Sequence, residues 1–305
     1  IKPTYYTAAV ENGYTPATII NDAPITLTGG DGKNWTPQNF SRVYYGPTRM
    51  RTAITHSYNV WAVKTVMDLG LDVVNDAFRR FGIDAKANDF SVALGAYEVT
   101  PINLISAFTT FPNNGFRTKP VFITKVEDMN GKVLERSGSA KYEVTSPQVA
   151  YIMTSMLQSV VSSGTGAAAR NNYYWQAAGK TGTSSDHRDA WFIGFNKKYT
   201  LGIWNGFDNN AAISASASCA PIWGQIMTKA IRNDNKGRLP KSDDPRYSFD
   251  VPERIVTRTI NPKTGFVSET GIEECFIEDN VPPARSDTLS YNYYPTRWGN
   301  HNKLE

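Results

Sequence analysis

A chain of 305 residues with 32 Lys and Arg against 28 Asp and Glu has room for a large packed domain, or a domain with an appendage, and a net charge of only +4. No long basic block accompanies that charge, which argues against nucleic acid as a partner, and no apolar run has the ~20 residues that cross a bilayer. The two cysteines, Cys219 and Cys275, lack metal-ligand spacing and form no CxxC, so no metal is expected from them and their pairing stays open.

In chain order, Ile1-Lys2-Pro3-Thr4 carries neither methionine nor a signal-peptide pattern, and we expect a longer protein around this stretch. Thr4 to Glu11 reads as a helix stopped by Asn12-Gly13; because proline fits only a first helical turn, Lys2 sits at its start. Tyr14 to Pro47 is loop-like, rich in Pro, Gly, Asn and Asp. Thr48 to Gly70 has helical periodicity, with Ser57-Tyr58-Asn59 either inside the helix or on a loop interrupting it. Shorter helices are expected over Asp72 to Phe81 and Ile102 to Phe111, the second opened by Pro101. Phe116 to Glu127 alternates like a strand, and Asn130-Gly131 signals a hairpin.

Ser146-Pro147 starts a long helix reaching about Val161, broken by Ser163-Gly164-Thr165-Gly166. Strands follow over Asp189 to Phe195 and Tyr199 to Phe207, then a helix opened by Pro221 through Ile231. Prolines and polar residues dominate after Asn233, and only short strands are expected there. We set a domain boundary near Arg238, giving a body over 1–238 and a tail or small extension over 239–305. The expected class is α+β, with an antiparallel sheet flanked by helices.

The candidate chemistry starts from a shortage. Only three histidines occur, His56, His187 and His301, and His187 falls in the polar turn Ser185 to Arg188, so a Ser-His-Asp triad is poorly supplied. Lysine can act as a base when burial or a nearby positive charge keeps it neutral. Lys2, at a helix start, could share its face with a serine three residues ahead, upstream of the residues given. The Ser57 hydroxyl could relay a proton to a leaving amine, and the Asn59 amide could hold a substrate carbonyl and the base together. Gly179-Lys180-Thr181-Gly182-Thr183-Ser184 offers a charge and hydroxyls for a carboxylate, and Gly182 lets a peptide lie against an edge strand. Lys180 would also help to keep Lys2 neutral. A second Lys-Thr-Gly, at Lys263, follows Asn261-Pro262 and reads as an ordinary turn.

Lys2, Ser57-x-Asn59 and Lys180-Thr181-Gly182-Thr183 occur in the SxxK, SxN, KTG order of the penicillin-recognising serine enzymes. Tyr14 to Asp22, Ala93 to Pro101, Asp189 to Gly194 and Ala220 to Trp223 further resemble class A, bifunctional penicillin-binding proteins, over roughly Ile1 to Ile231. The resemblance implies the transpeptidase fold shared with serine β-lactamases, with Lys2 as base, Ser57 passing the proton and Asn59 contacting the substrate amide. Lys180, Thr181 and Thr183 would bind the carboxylate of a D-Ala-D-Ala stem peptide or a β-lactam. The Thr183 N–H would form half of an oxyanion hole. It implies cross-linking of peptidoglycan through an acyl-serine, with no metal or cofactor. It further implies a preceding segment with the serine, a glycosyltransferase domain and a membrane anchor, placing the chain on the extracytoplasmic face of a bacterial membrane. A D-Ala-D-Ala carboxypeptidase differs only in using water as acceptor; a non-catalytic peptidoglycan-peptide-binding module is the alternative of a different class. For a class A β-lactamase, the stretch before Lys180 offers no clear deacylating glutamate.

Overall fold

A computed structural model describes residues 1–28, 32–213 and 219–285, so His301 and the last part of the tail lie outside the described residues. The first helix, α1 (Lys2–Glu11), is buried along almost its whole length and carries Pro3 in its first turn. A helix surrounded on all sides needs no polar stripe. It packs against α3 (Asn59–Leu69), α4 (Leu71–Phe81) and α6 (Pro147–Ser162). The Tyr5 hydroxyl donates to Ala93 O at 2.8 Å, and Tyr6 meets Trp61 edge-on, so the largest core cluster forms around this helix.

The expected loop over Tyr14 to Pro47 contains two small antiparallel pairs, β1 (Ile19–Asp22) with β4 (Gly46–Arg49) and β2 (Leu27–Thr28) with β3 (Asn34–Trp35). Of the two placements left open for Ser57-Tyr58-Asn59, the interruption is the one found: the helical stretch over Thr48 to Gly70 is divided into α2 (Met50–His56) and α3, with Thr48 and Arg49 in β4. The apolar spacing runs across the break, and periodicity alone cannot register one left-handed residue. Helix α5 (Pro101–Phe108) ends short of Phe111. The strand expected over Phe116 to Glu127 is interrupted around Pro120: β5 (Phe116–Thr118) pairs with β8 (Lys141–Glu143), and β6 (Lys125–Glu127) pairs with β7 (Val133–Arg136) across the Asn130-Gly131 turn. A missing N–H and a fixed φ make proline a poor strand interior.

The central sheet is antiparallel and three-stranded, in the order β11 (Thr200–Gly206), β10 (Asp189–Phe195), β9 (Ala178–Thr183). Phe192 faces Trp223 of α7 (Cys219–Asp234), while Gly202, on the opposite face, packs closely on Ile105 of α5. Helices on both faces of an antiparallel sheet make the α+β class plain. Helix α7 begins at Cys219, two residues ahead of Pro221, which sits in its first turn. Both cysteines are free thiols, Cys219 buried and Cys275 half-buried.

Beyond α7, β12 (Ile255–Ile260) and β13 (Ile272–Ile277) form a regular hairpin that packs on α6. The Lys263-Thr264-Gly265 copy lies in its connection, where Asn261 supplies the turn chemistry: its Oδ1 accepts from Lys263 N at 2.9 Å. Glu274 on β13 is buried between Arg51 and Arg49, with Oε1 2.5 Å from Arg51 Nη2. Arg51 also donates to Ser155 O and to Ser159 Oγ, tying the hairpin to α2 and α6 at once.

Candidate active site

Helix α2 ends in a turn that sets the geometry of the site. Tyr58 N bonds back to Ala53 O at 2.9 Å and Ser57 N to Ile54 O at 3.3 Å, which closes the helix with a left-handed residue after its last turn. That residue is Ser57, at φ 61 and ψ 37. Glycine takes this conformation without strain and serine does not, so a side chain kept here points to a use for the hydroxyl. Replacing Ser57 with Gly is therefore expected to leave folding stability unchanged or raise it by up to about 1 kcal/mol, while acylation by penicillin falls. Thermal melts and acylation rates on the same variant check the two halves.

The turn brings three acceptors around Lys2, which is 9% exposed. Lys2 Nζ donates to Ser57 O at 2.7 Å, Asn59 Oδ1 at 2.8 Å and Tyr58 O at 3.1 Å, with Ser57 Oγ at 3.3 Å. Burial and the charge of Lys180 hold the Lys2 ammonium well below the usual lysine range. A neutral amine has two N–H donors for the two shortest of these bonds and keeps a lone pair, which the hydroxyl at 57 can address.

Lys180, 5% exposed, projects from β9 into the same cleft, and burial brings its pKa down to about 7. Its ammonium donates to Thr181 O at 3.1 Å; among the described residues no carboxylate pairs with it or with Lys2. The cleft, of about 410 Å³, is lined by Lys2, Ser57, Asn59, Lys180, Thr181, Gly182 and Thr183. Ser184 lies just past the end of β9, where its Oγ accepts from Asp189 N at 2.8 Å. It lines a neighbouring cavity and not this cleft.

Among the described residues strand β9 pairs with β10 on one side only, and no strand adds to its other edge. Ser184 N bonds to Asp189 O, and antiparallel residues alternate between bonded and non-bonded positions. Thr183 and Thr181 thus turn their N–H and C=O groups to the free edge, where an extended peptide can add as a strand. The bare Cα of Gly182 also makes room for its neighbour: a Cβ there would lie 3.2 Å from Trp191 Cβ, so the Trp191 side chain sits over the glycine.

Two residues outside the motifs shape this cleft. Thr165 Oγ1 lies 2.7 Å from Thr181 Oγ1, and Thr165 N bonds to Thr55 O, so the loop after α6 bridges α2 to β9. A Cβ on Gly164 would meet Thr55 O at 2.3 Å, which explains the glycine that reads in sequence only as a helix breaker. Asn39, 4% exposed, accepts from Asn59 N at 2.7 Å and donates to Asp22 Oδ2 at 2.7 Å. It caps α3 from a distant loop and fixes Asn59, and its sequence neighbours Gln38 and Phe40 give no sign of that role. His187, half-buried, meets Phe40 edge-on with ring centroids 5.9 Å apart. No group of His, Cys, Asp and Glu that could hold a metal ion occurs among the described residues.

Comparison with known proteins identifies the family. The profile of the penicillin binding protein transpeptidase domain matches residues 1–228. Penicillin-binding protein 1A of Pseudomonas aeruginosa is 30% identical over 93% of the chain and 41% of its own length, and that of Neisseria meningitidis is 34% identical over 84% and 34%. The chain thus spans about two fifths or less of the length of these relatives. Among solved structures, penicillin-binding protein 1A from Haemophilus influenzae superposes with a TM-score of 0.83 at 27% identity, covering 92% of this chain and 48% of that one. With α1, the Ser57 turn and the edge of β9 enclosing one cleft, and a family profile spanning nearly all of that framework, the chain belongs to the penicillin-binding protein transpeptidase family.

Proposed function

We propose that the chain carries a serine-type D-Ala-D-Ala transpeptidase, which cross-links peptidoglycan stem peptides and is acylated by β-lactams. The observation that carries this reading is the meeting, at one cleft beside a strand edge, of a strained serine and two buried lysines that pair with no carboxylate among the described residues. Lys2 acts as the base for a serine three residues ahead of it. The donor peptide adds to the edge of β9, its terminal carboxylate near Lys180 and the hydroxyls of Thr181 and Thr183. As the serine oxygen attacks the penultimate D-Ala carbonyl, Thr183 N–H stabilises the oxyanion. Ser57 passes the proton from Lys2 to the departing D-Ala nitrogen, and Asn59 holds the substrate amide. An amine from a second stem peptide then displaces the serine.

In the full-length protein we place a glycosyltransferase domain and a membrane anchor ahead of this stretch, on the extracytoplasmic face of a bacterial membrane, and we keep residues 239–305 as an extension of the 1–238 body. No described helix is itself long and apolar enough to cross a membrane. Incubating the full-length protein with a fluorescent penicillin tests the reading. A stable covalent adduct on the serine upstream of Lys2 is expected, and an intact mass that never shifts overturns it in favour of a non-catalytic binding module.

A further inference from the structure

Two buried polar side chains sit behind the cleft without lining it: Asp22, at the end of β1, and Asn39, on the stretch between β3 and β4. Asp22 Oδ2 accepts two N–H groups, from Asn39 Nδ2 at 2.7 Å and from Tyr45 N at 2.9 Å. That oxygen is therefore an acceptor whether or not the carboxyl is ionised. Asp22 Oδ1 has no hydrogen-bond partner among the described residues. A carboxyl kept in the interior with half of its capacity unused costs stability, and packing alone does not account for it.

Asn39 passes this fixed polarity on. Its Nδ2 also donates to Val43 O at 2.9 Å, and its Oδ1 accepts from Asn59 N at 2.7 Å and from Val60 N at 3.3 Å. Turning the amide over would set N–H against N–H at α3 and oxygen against oxygen at Asp22 and Val43. The residue before it, Gln38, accepts from Asn59 Nδ2 at 3.0 Å through its main-chain oxygen. Asn59 is thus held at its main chain by Asn39 and at its side chain by Gln38, which leaves its Oδ1 facing Lys2 Nζ at 2.8 Å.

We propose that Asp22 is a positioning residue for acylation: through Asn39 it fixes the loop that carries Gln38 O, and with it the end of the Asn59 amide that meets Lys2. The assignment rests on the transpeptidase reading above. The direction of the amide matters because its two ends do opposite things to an amine. The oxygen accepts an N–H of Lys2 and leaves the lone pair for the proton of the attacking serine. The nitrogen would instead donate into that lone pair and mask the base. What Asp22 supplies is an acceptor at one place, not a charge near the substrate, so its influence reaches the reaction only by way of Asn59.

The test measures penicillin acylation rates and thermal melts of the full-length protein in two backgrounds. Asp22→Ala is expected to slow acylation at least fivefold, whereas Asp22→Asn, which still offers one oxygen to both N–H groups, should stay within twofold of the wild type. In an Asn59→Ala background no amide is left to orient. There Asp22→Ala should change the rate by less than twofold, although it still lowers the melting temperature. Asn39→Ser cuts the same chain one link later and leaves Asp22 its bond from Tyr45 N; it carries the test, with the same expectations, if Asp22→Ala does not fold. A wild-type rate in Asp22→Ala overturns the proposal. So does an equal fall in both backgrounds, which would make Asp22 a structural residue only, and so does an Asp22→Asn protein as slow as Asp22→Ala. A wild-type protein that penicillin never acylates overturns the underlying reaction, a result distinct from all of these.

Discussion

Lys2→Met is expected to slow acylation by penicillin by about 10²- to 10⁴-fold, the range lost when a positioned general base is removed. The change keeps the length and apolar bulk of the stem, so α1 should hold its place; what disappears is the amine among Ser57 O, Asn59 Oδ1 and Tyr58 O. Those acceptors are then left without a donor, and some loss of stability accompanies the loss of rate. Stopped-flow acylation and a thermal melt, run on the same variant, separate the two. A variant that melts like the wild type and still acylates at the wild-type rate would remove Lys2 from the chemistry.

The pH profile carries a signature of the same pair. Burial depresses Lys180 to about 7, and burial together with Lys180 depresses Lys2. A lowered lysine pKa means that the charged form is lost as pH rises through it. Lys2 gains its base form on that rise, while Lys180 gives up the charge that attracts a carboxylate. Second-order acylation in the free enzyme should therefore climb with pH through the Lys2 titration and decline above about 7 as Lys180 empties, with the decline moved upward when a bound carboxylate restores the Lys180 charge. For Lys180→Arg, which stays charged, the falling limb should vanish even if the rate is low.

The sequence carried this much of the site because the chemistry is written in short spacings. Lys2 beside Pro3, Ser57 with Asn59, and Lys180 to Thr183 each occupy one turn or one strand edge, and their order along the chain, through its resemblance to a family pattern, separates them from a chance copy such as Lys263-Thr264-Gly265. The edge position of β9 is legible for a similar reason: a Gly-rich, hydroxyl-rich strand followed by an apolar pair has one side left over. Contacts made over long sequence distances left no such mark. Asn39 reaches Asn59, Thr165 reaches Thr181, and neither has a periodicity or a spacing that announces the partner. The left-handed turn at Ser57 left no mark for a different reason: such a backbone is signalled in sequence by glycine or asparagine, and here the residue is a serine.

Glu274→Ala should be the most damaging single change to the fold, destabilising it by about 3–5 kcal/mol, the cost of leaving a buried charge without its partner. Its side chain is 1% exposed and meets two guanidinium groups, Arg51 at 2.5 Å and Arg49 at 3.4 Å. Removing the carboxylate strands Arg51, whose remaining bonds to Ser155 and Ser159 accept hydrogen bonds but do not neutralise charge. The damage should also travel, because Arg51 belongs to α2, whose far end is the Ser57 turn. Loosening at the hairpin would thus appear as slower acylation with little change in penicillin affinity. Replacing both partners, Arg51→Met with Glu274→Leu, removes the orphaned charge and should recover most of the stability; whether acylation recovers with it tells whether the turn needs the clamp or only a packed neighbour. Chemical denaturation of the single and double variants supplies the first measurement and single-turnover acylation the second. A Glu274→Ala protein as stable as the wild type would mean that the hairpin beyond residue 238 rides on the body without bracing it.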